Sequence, residues 1–279
     1  MRGLVFAALI VHHAAAGGEE VFPEDSAWET VSSGHEVVEG IAAGADGAVF
    51  LTDVPGKELF KLDKDGRETL LDGSTDGANG LATGPDGRLF GACMNTPAIA
   101  IWNPETKDRS MIPLPTPAND LAITAAGALF YTWGPSDAVY HLDIANPQPR
   151  KLADMPNPNG ITISHDGREL FVGEFFGNTV RAFPILDGGK LGPARAAFRA
   201  KAPENGKGLL DGMTPLRDGR LLVATALGLQ ILSTGAEPVV LPNPTDQRAN
   251  YVRIITDSAG VRWIYAAHVK TVLRRKTLL

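Results

Sequence analysis

The chain has 279 residues, 44% of them hydrophobic, with 31 Gly, 20 Pro and a single Cys, and carries a formal charge of −6. One cysteine excludes an internal disulfide. The acidic balance, broken only by a basic run at Arg274-Arg275-Lys276, argues against nucleic acid as a partner.

The first sixteen residues read as an export leader. Met1-Arg2 is a minimal positive start, Gly3 to Val11 is apolar, and Ala14-Ala15-Ala16 offers a small-residue cleavage site. The expected location is therefore periplasmic or secreted, or cytoplasmic if the leader is not real. The apolar run is too short to anchor a mature protein in a bilayer. Residues 17–279 read as one domain, long enough for one sizeable core.

After Trp28 to Ser32, a strand-like segment, the chain falls into a repeat. The first unit has strand-like runs at Gly40 to Gly44, Ala48 to Thr52, Glu58 to Leu62 and Arg67 to Leu71. Asp46-Gly47, Pro55-Gly56 and Asp65-Gly66 supply the tight turns between them. The unit then recurs as NGLATGPDGRLFG from Asn79, NDLAITAAGALFY from Asn119, NGITISHDGRELFV from Asn159, DGMTPLRDGRLLVA from Asp211 and, more loosely, NYVRIITDSAGVRWIYA from Asn250. The leading residues Glu39, Asn79, Asn119, Asn159, Asp211 and Asn250 are separated by 40, 40, 40, 52 and 39 positions. A period near 40 with four short strands per unit predicts a six-bladed β-propeller. The last unit holds only three strands, near Val252 to Ile255, Arg262 to Ala266 and Thr271 to Arg275. Trp28 to Ser32 is expected to complete it and close the ring. Cys93 is expected to fill core at the end of a second strand.

In a propeller the first strand of each blade lines the central channel, so the six leading residues are expected to meet at one channel mouth. Two carboxylates and four amides, with no His or Cys among them, suit a hard cation. Calcium fits better than magnesium because it accepts six to eight oxygens in loose geometry, and other divalent cations stay open. The plainer alternative is that Asn-Gly and Asp-Gly simply make turns before the strands. Glu39-Gly40 is a poor turn signal, however, and Glu39 in a channel without a cation would be a costly buried charge. His35, His141, His165 and His268 share no repeated offset, so no Ser-His-Asp arrangement is legible and packing or surface roles are expected. His268 lies nearest the expected mouth.

The ordered EG, NG, ND, PNG and DG starts, with PNPNGITISHDGRELFV and GLLDGM, resemble the senescence-marker-protein/gluconolactonase family of six-bladed propellers over about Glu36 to Arg275. The resemblance, shared with paraoxonases and diisopropylfluorophosphatase, implies a calcium ion held by Glu39, Asn119, Asn159 and Asp211, with Asn119 also facing substrate or water. It implies a supporting or substrate-facing role for Asn79 and Asn250. Pro117 stands where gluconolactonases of the family tend to carry a sugar-contacting Arg, so gluconolactone is expected to be a poor substrate. Trp133, Phe175 and Phe176 are candidate rim residues for a less polar one, or ordinary loop packing. The expected activity is metal-assisted hydrolysis of a lactone or small ester, with Asp211 as base and Glu39 chiefly as ligand; one carboxylate filling both roles, and direct attack by Asp211, stay open. Two other classes remain: a non-catalytic sugar-binding or small-ligand-binding propeller with a structural calcium, and a metal-free strictosidine-synthase-like lyase.

Overall fold

The computed structural model describes residues 20–44, 47–204 and 206–279. The leader and the Asp46 half of the first turn lie outside the described residues. The described residues form six antiparallel sheets. Blade one holds Val38–Ala43, Val49–Asp53, Glu58–Leu62 and Glu68–Asp72, within two residues of the boundaries expected from the turns. The first strands of the later blades are Ala78–Thr83, Leu121–Ile123, Pro158–Ile163, Met213–Pro215 and Tyr251–Thr256. Each touches the next, and the sixth touches Val38–Ala43, so the ring is closed around a channel. Among the described residues no helix is long and apolar enough to cross a membrane.

The sixth blade is completed by the N-terminal strand. Glu29–Ser33 lies antiparallel to Thr271–Lys276, pairing Glu29 with Arg274 and Ser33 with Thr271. Arg274 Nε donates to Glu29 Oε2 at 3.1 Å across this seam. Ser32 also hydrogen-bonds Glu68 of blade one, and buried His35 contacts Ser32 beside it. The same segment thus fastens both sides of the closure.

The core is divided among the blade junctions. Each of six buried apolar clusters draws mainly on two adjoining blades. Alternation along the second strands makes this possible, because successive side chains point to opposite faces. Val49 and Leu51 enter the cluster shared with blade six, whereas Phe50 enters the one shared with blade two. Cys93 ends the strand Leu89–Cys93 and is fully buried in that second cluster, as expected.

Two departures from the simple repeat are local. The spacing of 52 between Asn159 and Asp211 is taken up by the long strand Thr179–Leu186, which bends back through Asp187–Gly189 into Lys190–Leu191, so blade four has a fifth short strand. In the Pro55-Gly56 turn the left-handed residue is Lys57, with φ of 56°, and not the glycine.

Candidate channel site

The six leading residues stand just before or within their first strands, at corresponding places in the ring. Backbone pairing holds them there. Asn119 N donates to Thr132 O at 2.8 Å, Asp211 N to Ala224 O at 3.0 Å and Asn250 N to Ala267 O at 2.8 Å. Neighbouring blades are stitched at the same level, since Gly80 N donates to Asn119 O at 2.9 Å and Gly212 N to Asn250 O at 3.0 Å. Thr52 and Thr132 serve two more joints, their hydroxyls donating to Asn79 O and Asn159 O at 2.7 Å each.

The glycines of the EG, NG and DG pairs are therefore not turn residues. None of Gly40, Gly80, Gly160 or Gly212 has positive φ. A Cβ on Gly40 would lie 2.4 Å from Asn79 O, and one on Gly160 would lie 1.9 Å from Asp211 O. Close approach between blades requires them. This removes the reading of these pairs as tight turns and supplies its replacement, a ring packed backbone to backbone.

At the same position blade three carries Asp120 and blade six carries Tyr251. Both are buried and reach across the channel. Tyr251 donates its hydroxyl to Asp120 Oδ1 at 3.1 Å, and Arg253 Nη2 donates to Tyr251 Oη at 2.9 Å. Asp120 also accepts from Leu121 N at 2.8 Å and from Ile161 N of blade four at 3.2 Å. Burial pushes the Asp120 carboxyl up to about 6 against the lowering influence of Arg253 and these hydrogen bonds.

Asn79, Asp211 and Asn250 are buried, and Glu39, Asn119 and Asn159 are half-buried. Asn250 Nδ2 donates to Glu39 Oε1 at 3.4 Å, and Asn79 Nδ2 lies 2.9 Å from Met94 Sδ. Arg248, which no sequence signal had marked, donates from Nη1 to Asp211 Oδ2 at 3.0 Å. Burial raises the proton affinity of Glu39 well above the usual range, Asp211 and Asp120 add to the rise, and Arg248 opposes it. Asp211 is likewise pushed up by burial to about 6, with Arg248 again opposing. Three carboxylates thus face two guanidinium groups.

The donors suit an oxygen-liganded cation. Among the described residues no three His, Cys, Asp or Glu side chains form a ready cage, so amide oxygens would have to join the set. Two of them are free to do so: Asn119 Oδ1 and Asn250 Oδ1 are buried without a hydrogen-bond partner. Orphaned acceptors of this kind are rare in folded proteins. A dication held by Glu39 and Asp211, with Asn119 in or next to the shell, would satisfy the Asn119 oxygen and offset the clustered negative charge.

The rim residues separate. Phe175 lies with its ring 5.8 Å from the Arg248 guanidinium and 4.9 Å from Phe176, which places it over the Asp211 side of the mouth. Trp133 ends the strand Ala128–Trp133 and packs on the core between blades two and three. His268 is buried at the end of a second strand, with Nδ1 at 3.1 Å from Gln247 O. His35 and His141 are buried away from the leading positions.

Asp120 and Tyr251 had a sequence signal, because they interrupt a glycine that four blades share. Arg248 had none, because no other blade carries an Arg two residues before its leading residue.

The SMP-30/Gluconolactonase/LRE-like region matches residues 37–237. A gluconolactonase of Zymomonas mobilis is 27% identical over 235 residues, 72% of this chain, and the match spans 64% of that relative's length. Among solved structures, a gluconolactonase from Xanthomonas campestris superposes with a TM-score of 0.78 at 21% identity, covering 95% of this chain and 91% of the other. A calcium-binding protein, regucalcin, from Agrobacterium tumefaciens gives 0.71 at 17% identity, covering 90% and 94%. At such identities the superpositions speak for the shared propeller. The family model spans most of the six blades, and the chain belongs to the SMP-30/gluconolactonase/LRE-like family.

Proposed function

We propose that the protein hydrolyses lactones or small esters at the Glu39–Asp211 end of the channel. The carrying observation is that two carboxylates with raised proton affinity meet two buried, unpartnered amide oxygens there. Membership of the family and the likeness to a gluconolactonase support the reading.

Glu39, Asn159 and Asp211 would hold a divalent cation, with calcium the best match to an all-oxygen set, and Asn119 in or next to the shell. Bound there, the cation would supply a Lewis acid that polarises the ester carbonyl and favours the developing oxyanion. Asp211 is the proposed base: its carboxylate takes the proton of an attacking water as the new C–O bond forms, and the proton later passes to the departing alkoxide as the ring opens. Glu39 acts mainly as ligand. Arg248, on Asp211 Oδ2, keeps the base ionised and orients its other oxygen. The amide groups of Asn79, Asn119 and Asn250 offer hydrogen bonds to the substrate, and Phe175 gives it an apolar rim. Trp133, packed between blades, is better read as support.

Pro117 still removes the sugar-contacting Arg of blade three, so gluconolactone is expected to be poorer than a less hydroxylated lactone. Calcium removal with a chelator, followed by a lactone and ester panel with and without added calcium, tests the reading. Calcium-restored turnover supports it. Calcium binding without turnover on any lactone or ester would favour the binding module instead. Residues 1–16 are proposed to direct export, which N-terminal sequencing of the mature protein would check.

A further inference from the structure

The channel does not account for all the polar groups this fold buries. His141, in the third strand of blade three, is 5% exposed, and neither Nδ1 nor Nε2 has a hydrogen-bond partner. It lines a cavity of about 300 Å³ between blades three and four, shared with Asp143, Asn146, Gln148, Arg150 and Gly189. That volume is at the small end of ligand sites.

The cavity is built from both blades. The Phe130 ring lies 5.1 Å from the imidazole, and Arg150 is the cross-strand neighbour of His141 on the other side. The roof is the bend Asp187–Gly189, made by the extra length that sets blade four apart from the 40-residue repeat. Arg150 Nη2 donates to Gly188 O at 2.6 Å, which holds the bend down. Gly189 is in the left-handed region, with φ of 65°, and a Cβ there would lie 2.0 Å from His141 Nε2. Only a glycine lets the bend sit so close to the ring edge.

The chemistry narrows the ligand. Burial and the neighbouring Arg150 hold His141 below its usual proton affinity, despite Asp143, so near neutral pH the ring carries one donor and one acceptor. Asp143 brings acceptors and Arg150 donors, and their charges balance. Asn146 and Gln148 add both kinds. Hydroxyl groups, which donate and accept, match this mixture, whereas a ligand of either charge would meet a like charge in Asp143 or Arg150.

We propose that this cavity is a second binding site, separate from the channel, for a small neutral polyol of monosaccharide size whose hydroxyls pair with His141, Asp143 and Arg150.

The test uses the full chain with ¹³C-labelled histidine, titrated with D-glucose and, separately, with D-gluconate as an anionic counterpart. His141→Phe, which leaves an aromatic ring beside Phe130, assigns the His141 signal by its loss. The expected result is a saturable shift of that signal with glucose, with a Kd of about 1 to 10 mM, weakened at least about tenfold in the Asp143→Ala and Arg150→Ala proteins. Both substitutions are at exposed positions, so these variants keep the test available if His141→Phe does not fold. An unmoved His141 signal, equal affinity in folded Asp143→Ala and Arg150→Ala, or a response to gluconate alone would overturn the proposal. So would a glucose shift confined to His268, which would put the sugar at the channel.

Discussion

Tyr251 donates its hydroxyl to Asp120 Oδ1 at 3.1 Å and so joins blade six to blade three straight across the channel. Each of these residues occupies the position that is Gly40, Gly80, Gly160 or Gly212 in the other blades. Their bulk is admitted only because those neighbours lack side chains: a Cβ on Gly80 would lie 2.0 Å from Asp120 Oδ1, and one on Gly212 would lie 2.2 Å from the Tyr251 ring.

Gly80→Ala is therefore expected to destabilise the propeller by about 1 to 3 kcal/mol, the usual range for overpacking. Urea unfolding measures it. In an Asp120→Gly background the same substitution should cost clearly less, because the clashing carboxylate is gone. Equal costs in both backgrounds would contradict the packing described.

What could be read without coordinates follows from the repeat itself. A propeller places the same strand position at the same point of every blade, so the polar residues Glu39 to Asn250 and the short last unit were visible as spacing. The Glu29–Ser33 closure followed from counting strands. Arg248 was not visible, because its meeting with Asp211 depends on how the segment before blade six crosses the mouth of blade five. Asp120 and Tyr251 depart from the glycine of the other blades in the sequence, but only the fold puts both on one axis. The fifth strand of blade four was legible only as excess length.

Stability of the calcium-free protein should depend on pH through Asp120 and Asp211. Their folded values of about 6 lie above the value of about 3.9 for an unfolded Asp. A raised folded value means that the native state binds the proton more tightly. The associated stability is complete below about pH 4 and is lost as pH rises through about 6. For a single carboxylate this amounts to about 2 to 3 kcal/mol. Denaturant melts in chelator between pH 4 and pH 7 should show the decline, and an Asp120→Asn, Asp211→Asn protein should show less of it, with Glu39, whose proton affinity burial also raises, supplying the remainder. A wild-type profile that rises across this window would contradict the assignment.

Arg248 competes with a cation for Asp211 Oδ2. Replacing it with Met, which keeps most of the stem, should tighten calcium binding by roughly tenfold, about 1.4 kcal/mol, as measured by calorimetry at constant pH. It should also raise the pH at which activity falls on the acid side, because Asp211 loses the charge that favours its ionised form. Weaker calcium binding in Arg248→Met would mean that the guanidinium organises the ligands instead of opposing the ion.

The most direct test of the hydrolase reading is the turnover number of wild-type and Asp211→Ala proteins on a panel of lactones and small esters in saturating calcium, with thermal melts confirming that both are folded. Calcium-dependent turnover is expected in the wild type, with a drop of roughly a thousandfold in the variant, about 4 kcal/mol of barrier. Near-normal turnover by folded Asp211→Ala, or no hydrolysis of any panel member by the calcium-loaded wild type, would contradict it.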